Sequence, residues 1–474
     1  MMNIELRPYE RYKKSEAEYI SQYPDTWETV KLRVVLEERK EKNRLRQTTN
    51  ILSVMKGKGV IPYSEKGNVG NKCSEDIERY NVVHPDDIVM NCMNVIIGSV
   101  GRSKYHGALS QVYYVLKNRD DLKYNIKYYE NVFRMTSLQK ELTKYGKGIL
   151  AHRMRVPMEM IKNIELPLPP KSEQDQIVKY LDRQMFKINK LVRNKKKVIA
   201  LLKEQRKIII NEAVTKGLCQ NVKMKPSGFD YIESIPEGWV ISKIGYVGNL
   251  QNGISESGSF FTKGTPFVSY GDVYNNDQLP ISVSGVANSS QKQQQVYSVK
   301  RGDIFFTRTS ETIEEIGLSS VCLNDIENAV FSGFLIRFRP NNEVLDPIFS
   351  KYYFKNDVVR NFFVKEMNIV IRASLGQNLL RNVPLILPPL SEQREIGHFL
   401  DIKTAEIDKV IEKAQCEISL ITEYLESLLS DVVTGKVDVR NIVIDDAEEE
   451  ILEDIEIDED STDDESLEVE DGDE

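Results

Sequence analysis

Histidine and cysteine are scarce in this chain, with four and five residues among 474. The cysteines (Cys73, Cys92, Cys219, Cys322, Cys416) are odd in number and never spaced as Cys-x-x-Cys, and no histidines pair at metal-ligand spacing. That usage excludes a disulfide framework and a sequence-encoded zinc site, and it suits reduced thiols in a cytoplasmic protein. Long apolar runs are also missing. The stretch "NVIIGSV" is far below the ~20 residues of a membrane-spanning helix. The first residues, "MMNIELRPYERYKK", are charged from the outset and carry no apolar signal core.

Catalytic motifs are lacking as well. There is no Gly-x4-Gly-Lys-Ser/Thr phosphate loop, because "TGKV" and "YGKG" miss its spacing and hydroxyl. No Gly-x-Gly-x-x-Gly follows a strand, and the Asn/Asp-Pro-Pro-Tyr/Phe stretch of amino-methyltransferases does not occur. No serine has His and Asp at a motif spacing. Asp25 with Glu38-Arg39-Lys40 matches the loose spacing of a metal-dependent nuclease. However, "LEERKEKNR" is a charged, helix-favouring stretch, and that chemistry wants its acids on adjacent strands. The expectation is a binding protein with no metal and no cofactor of its own.

The net charge of −8 conceals two opposite regions. Residues 445–474 hold 19 Asp or Glu and no Lys or Arg, a composition that cannot bury a core and reads as a disordered acidic tail. The remaining 444 residues carry 64 bases against 53 acids, a net charge of +11. A basic body suits a polyanionic partner. The tail can compete with that partner for the basic surface.

What the chain does have is a repeat. "LPLPPKSEQDQI" (166–177) and "LILPPLSEQREI" (385–396) are identical at eight of twelve positions, 219 residues apart. Each Pro-Pro keeps the preceding backbone extended, Ser172 and Ser391 are suitable helix N-caps, and Glu173 and Glu392 fall in the positive first turn. Beyond them, positions 181, 185, 188, 192, 195, 199, 202, 206, 209 and 213 step by four and three, and eight of the ten are apolar. The positions 219 residues on are apolar in nine of ten cases. This is the a/d seam of a coiled coil on two helices of about 44 residues, roughly 66 Å each. Gly217 and Gly435 stand where a left-handed stop is needed.

The first helix (171–217) has thirteen bases and five acids, and the second (390–436) five bases and ten acids. Opposite charge on matched seams predicts that they pair with each other as one antiparallel intramolecular coiled coil. The basic face from Lys187 to Lys207 is better explained by this complementarity than by phosphates.

The segments ahead of the helices repeat more loosely. The only two tryptophans open them: Pro24, Trp27, Lys31 and Leu32 match Pro236, Trp239, Lys243 and Ile244. "HPDDIVMN" (84–91) resembles "KRGDIFFT" (300–307), and "GALSQVYYVLK" (107–117) resembles "AVFSGFLIRFR" (329–339). Short β-rich pieces between Gly, Asn and Asp predict mixed α/β domains. The boundaries are an N-terminal segment 1–22, a first domain 23–164, a first helix 165–220, a second domain 221–383, a second helix 384–444 and the tail 445–474. Two copies of one unit imitate a dimer with approximate two-fold symmetry.

The doubled "LPxPPxxEQ"-type boundary, the long helices and two dissimilar β-rich domains resemble the DNA-specificity (S) subunits of Type I restriction-modification systems. "DDIVMNCMN" (86–94) with "SQVYYVL" (110–116), and "RGDIFFTRTS" (301–310) with "RASLGQNLLRNVPLILPPLSEQ" (372–393), carry the likeness, which spans about residues 20–444. The resemblance implies an α/β (α+β mixed) chain with two pseudo-repeated target-recognition domains, each reading half of a split site on double-stranded DNA. It implies that the helices set the half-site spacing and dock two methyltransferase (M) subunits, with restriction/translocase (R) subunits completing the complex. S-adenosylmethionine for adenine methylation, and ATP and Mg2+ for cleavage, would belong to those partners.

Base readout needs Arg, Lys, Asn, Gln, Ser or Thr on accessible loops, with further bases on phosphates. In the first domain the candidates are Arg102, Lys104 and Tyr105 of "GRSKYHG", and Lys144, Lys147 and Arg153 of "KYGKGILAHRMR". In the second they are Arg308, Thr309, Ser310, Arg372, Gln377 and Asn378. Arg153 and Arg372 are 219 residues apart, at equivalent places ahead of each helix. The competing explanation for each is a solvated side chain or a local structural hydrogen bond. Rival functions are the target-recognition subunit of another multisubunit restriction enzyme, a stand-alone nuclease, or a coiled-coil scaffold.

Overall fold

Each Pro-Pro pair ends a strand and starts a long helix. Strand Glu165–Leu168 runs into the first long helix, Lys171–Lys216, and strand Pro384–Leu387 into the second, Leu390–Val433. The computed structural model describes residues 6–444 except 56, 68–72, 75, 94–98, 147–154, 220, 230–231, 257, 310–315, 342–343 and 368–374. The acidic tail lies outside the described residues.

The helices begin two residues earlier than the serines suggest. Pro170 O accepts from the backbone N–H of Glu173 (2.9 Å) and of Gln174 (3.0 Å), and Pro389 O from Gln393 (3.0 Å). Proline therefore occupies the cap position, where its missing N–H costs nothing, and Ser172 and Ser391 fall inside the first turn. The far ends are as expected: Gly217 and Gly435 adopt φ of +79° and +73°.

The chain forms two compact units, residues 1–195 with 416–474, and 196–415. In the first, Ile177, Val178, Tyr180 and Leu181 share a core with Leu428, Leu429, Val432 and Val433. The early first helix thus meets the late second helix, and Lys195 pairs with Glu417 at 2.5 Å. In the second unit, Ile210, Ala213 and Val214 share a core with Ile396 and Leu400, and Arg206 pairs with Asp408 at 3.0 Å. Both pairings are antiparallel and join a basic to an acidic helix. None of the twenty seam positions is exposed, whereas off-seam Leu201 is 64% exposed.

Each unit carries a four-stranded antiparallel sheet of the same order. In the first it is Leu36–Glu38, Tyr113–Asn118, Ile88–Asn91, Val100–Arg102. In the second it is Gly248–Asn252, Leu335–Pro340, Ile304–Thr307, Ser319–Val321. The sequence matches at 84–91/300–307 and 107–117/329–339 fall on corresponding strands. A smaller pairing zips the two ends of each domain together: Glu165–Leu168 with Glu28–Lys31, and Pro384–Leu387 with Val240–Lys243.

One expectation fails at "LEERKEKNR", because Leu36–Glu38 is a strand, not a helix. Pairing with Leu116–Asn118 overrides the local helix preference. Arg39 grips the buried Asp87 with Nε at 2.7 Å and Nη2 at 3.0 Å. The second unit solves the same problem from another strand: Arg339 grips buried Asp303 at 2.6 and 2.5 Å. Both aspartates also accept a backbone N–H, from His84 (2.8 Å) and Lys300 (2.7 Å). A buried carboxylate is tolerated only with such partners. The residue before each aspartate is left-handed, Asp86 at φ 69° and Gly302 at φ 89°.

Candidate nucleic-acid interface

Two polar residues at the start of each long helix lock its domain in place. Glu173 Oε2 accepts from Trp27 Nε1 (2.7 Å) and from the Tyr9 hydroxyl (3.0 Å). Glu392 Oε2 accepts from Trp239 Nε1 (2.9 Å). The adjacent glutamines act as clasps. Gln174 accepts from Asn125 N (2.8 Å) and donates to Pro169 O (2.8 Å); Gln393 accepts from Asp346 N (2.9 Å) and donates to Pro388 O (3.0 Å). Burial, then the Glu173 carboxylate, pushes the Tyr9 hydroxyl well up, so it stays a donor. Sequence analysis found the repeated Glu-Gln but not its partners, although the pairing of the only two tryptophans with the only two such boundaries was a usable signal.

A second repeated feature lies at one end of each sheet, where three chain segments meet. In the first unit Cys92 N donates to Val112 O (3.1 Å), and Cys92 O accepts from Val156 N (3.1 Å). In the second, Arg308 N donates to Phe334 O (2.9 Å), and Arg308 O accepts from Leu375 N (2.7 Å). The backbone junction is the same and its side chains are not. Cys92 of the first junction corresponds to Arg308 of the second, and Val112 (43% exposed) to Phe334 (62% exposed). Burial pushes the Cys92 thiol up, away from the thiolate form that reacts.

The second junction gathers several expected residues. Thr309 is exposed and its carbonyl accepts from the Tyr270 hydroxyl (3.1 Å). Gln377 Nε2 donates to Asn252 Oδ1 (3.0 Å), and Asn378 is exposed. Arg308, Thr309 and Gln377 therefore share one end of the sheet with Tyr270, Phe334 and Asn252, three residues that sequence analysis did not single out.

The first unit does not gather its candidates in this way. Arg102 lies opposite Ile88, at the far end of strand Ile88–Asn91 from Cys92. Its guanidinium pairs with Asp86 (2.5 Å) and Glu130 (3.5 Å). Lys104 is exposed and Tyr105 half-buried, in a turn closed by Ser103 Oγ donating to Tyr105 O (2.8 Å). Lys144 is clasped by Glu141 (2.8 Å) and Glu18, which push its pKa up. Lys147, Arg153, Ser310 and Arg372 lie outside the described residues. Among the described residues, no group of His, Cys, Asp or Glu is placed to hold a metal ion, and no helix is long and apolar enough to cross a membrane.

The family profile described as "Type I restriction modification DNA specificity domain" matches the chain twice, over residues 24–201 and 236–417. The chain is similar to the MjaVIII specificity subunit of a Type I restriction enzyme from Methanocaldococcus jannaschii. The two are 24% identical over 432 residues, covering 88% of this chain and 95% of the relative. It is also similar to the EcoBI specificity subunit of a Type I restriction enzyme from Escherichia coli, 21% identical over 384 residues, 78% of each chain. A solved chain from a study of complex assembly and conformational transition of the type I R-M system superposes with a TM-score of 0.67 at 16% identity, over 87% of this chain and 99% of that one. At that identity the likeness speaks to fold.

Proposed function

The chain belongs to the Type I restriction modification DNA specificity family, and we propose that it is the non-catalytic, sequence-reading subunit of a Type I restriction-modification complex. One observation carries the bipartite reading: the same backbone junction occurs in both units with different side chains on it, Cys92 and Val112 against Arg308 and Phe334. A shared frame with different contact groups suits two different half-sites. The reading domains are residues 23–164 and 221–383, ahead of helices 165–220 and 384–444.

The proposed contact set is Arg102, Lys104, Tyr105, Lys144, Lys147 and Arg153 for one half-site. For the other it is Arg308, Thr309, Ser310, Arg372, Gln377 and Asn378. Arg308, Thr309 and Gln377 have the best support, from their shared position beside exposed Phe334. The long helices set the half-site spacing and dock two methyltransferase subunits. Apolar side chains exposed off the seam support a protein partner there: Leu191, Val198, Leu201 and Ile208 on the first helix, Val410 and Leu420 on the second. S-adenosylmethionine enters with those subunits, ATP and Mg2+ with the restriction subunits, and the complex works in the cytoplasm.

Co-expression with the neighbouring methyltransferase gene, followed by genome-wide mapping of methylated adenines, tests this. A split motif with a fixed gap is expected. A continuous motif would rule out the two-reader geometry, and no motif at all would favour a scaffold.

A further inference from the structure

The loop after strand Leu36–Glu38 holds an apolar side chain out into solvent. Leu45 is 92% exposed, the largest exposure among the large hydrophobics described. Its backbone is left-handed (φ 57°, ψ 22°), and so is that of Arg46 (φ 51°). L-residues with a branched or long side chain avoid that region, and two in succession persist only where the surroundings impose them.

Asn43 does the imposing. It is fully buried, its Nδ2 donates to Thr48 O (2.9 Å) and Ile77 O (3.2 Å), and its Oδ1 accepts from Thr48 N (3.0 Å). Its backbone N–H donates to Tyr80 O (2.9 Å) and its carbonyl accepts from Arg46 N (3.1 Å). One buried amide thus closes the loop at its base, while Arg44, Leu45, Arg46 and Gln47 at the tip are all exposed. A loop that merely tolerated leucine would have no need of a strained, clamped backbone to display it.

Charge and position indicate the occupant. Residues 39–50 carry five bases and one acid. The trailing end of the loop is stitched to the turn bearing Lys104 and Tyr105: Ala108 N donates to Asn50 O (2.9 Å), and Asn50 Nδ2 to His106 O (2.9 Å). An apolar tip between two arginines is the chemistry of a wedge that enters a base stack while its flanks hold phosphates. We infer that Leu45 is such a wedge, inserted between base pairs at the first half-site while Arg44 and Arg46 grip the backbone on either side. This rests on the DNA role proposed above and adds a local distortion of the duplex to it.

The test uses the full chain in complex with its methyltransferase subunits, and duplexes carrying the methylation-mapped site with 2-aminopurine at successive positions of the first half-site. Wild type should bind this site over random duplex and raise 2-aminopurine fluorescence at one step. Leu45→Ala and Leu45→Asn, the second favouring the left-handed backbone, should lose that rise and about tenfold in cognate affinity, with random-duplex affinity unchanged. Leu45→Met should keep both. If wild type shows no preference for the mapped site, the DNA-specificity role itself falls. If it binds the site with no rise at any step, or if Leu45→Ala and Leu45→Asn keep the rise, the wedge is overturned. Loss of the methyltransferase subunits from the Leu45→Ala complex would overturn it too and assign Leu45 to a protein contact.

Discussion

Trp27 and Glu173 are 146 residues apart in sequence and 2.7 Å apart at indole Nε1 and carboxylate Oε2, and Trp239 and Glu392 repeat the contact at 2.9 Å. Each bond ties the residue just ahead of strand Glu28–Lys31 or Val240–Lys243 to the first turn of the long helix that follows that strand's partner. It is a hydrogen bond to a charged group from a side chain with almost no solvent exposure. Trp27→Phe should therefore cost about 1.5–3 kcal/mol, and Trp239→Phe a similar amount. Hydrogen exchange locates the effect: Trp27→Phe should lower protection in strand Glu28–Lys31 and leave Val240–Lys243 unchanged.

Two left-handed glycines differ in what surrounds them. A Cβ on Gly435 would meet Pro24 Cδ at 2.5 Å and Trp27 at 2.9 Å, with φ at +73°. Left-handed strain of about 1–2 kcal/mol and overpacking of about 1–3 kcal/mol add at Gly435→Ala. Gly302→Ala meets only Pro347 at 3.8 Å and should cost about 1–2 kcal/mol from strain alone. Urea unfolding of the two variants should rank them in that order.

Thiol reactivity should divide the cysteines. Burial, and then the Asp303 carboxylate, pushes the Cys322 thiol up to about 12, and burial raises Cys92, while Cys219 and Cys416 are exposed. The thiolate is the reactive form. Iodoacetamide at pH 8 followed by peptide mass spectrometry should label Cys219 and Cys416 in the native chain, and Cys322 and Cys92 only after unfolding. Because the folded pKa of Cys322 lies above its ordinary value of 9.0, the folded state holds its proton where the unfolded state has lost it. Its contribution is complete below about pH 9 and is lost as pH rises toward 12.

Arg308 and Phe334 should affect one half of the target only. Arg308→Ala is expected to weaken cognate binding by about 1–3 kcal/mol if its guanidinium is bidentate to guanine, and to relax the motif in one half-site. Arg153→Ala and Arg372→Ala should cost similar amounts, in opposite halves. Methylation mapping with each variant checks this: relaxation of both halves by a single substitution would contradict separate readers.

Truncation after Ile444 should strengthen binding to random duplex at low salt if the tail's 19 acids compete for the basic body. Electrophoretic titration at two ionic strengths measures it, and equal affinities would leave the tail no such role.

The architecture was legible where the signal was local or strictly periodic. The seam could be read because every fourth and third residue must face the partner helix, and Gly217 and Gly435 because few residues accept a left-handed stop. The N-caps were misplaced by two positions, since Ser172 looks like a cap until Pro170 O is seen taking the first bonds. Strand Leu36–Glu38 was hidden because its partner, Leu116–Asn118, is remote in sequence. The site was less legible still. Arg102 and Lys144 look available in sequence, but Glu130 and Glu18 come from distant segments to neutralise them. Phe334 gave no signal of its own, because an exposed aromatic is visible only once the surface exists, and half-buried Tyr270 is placed only by the packing beneath it.

Asp86 and Gly302 share no chemistry, yet each turns the chain through the same left-handed torsion before a buried aspartate. Glycine does so without strain. Aspartate accepts the strain and gains a carboxylate that holds Arg102 at 2.5 Å. Residue identity counts this position as a difference between the two halves, whereas torsion angle counts it as an identity. How far the halves have drifted apart is thus overstated by their letters and better measured in degrees.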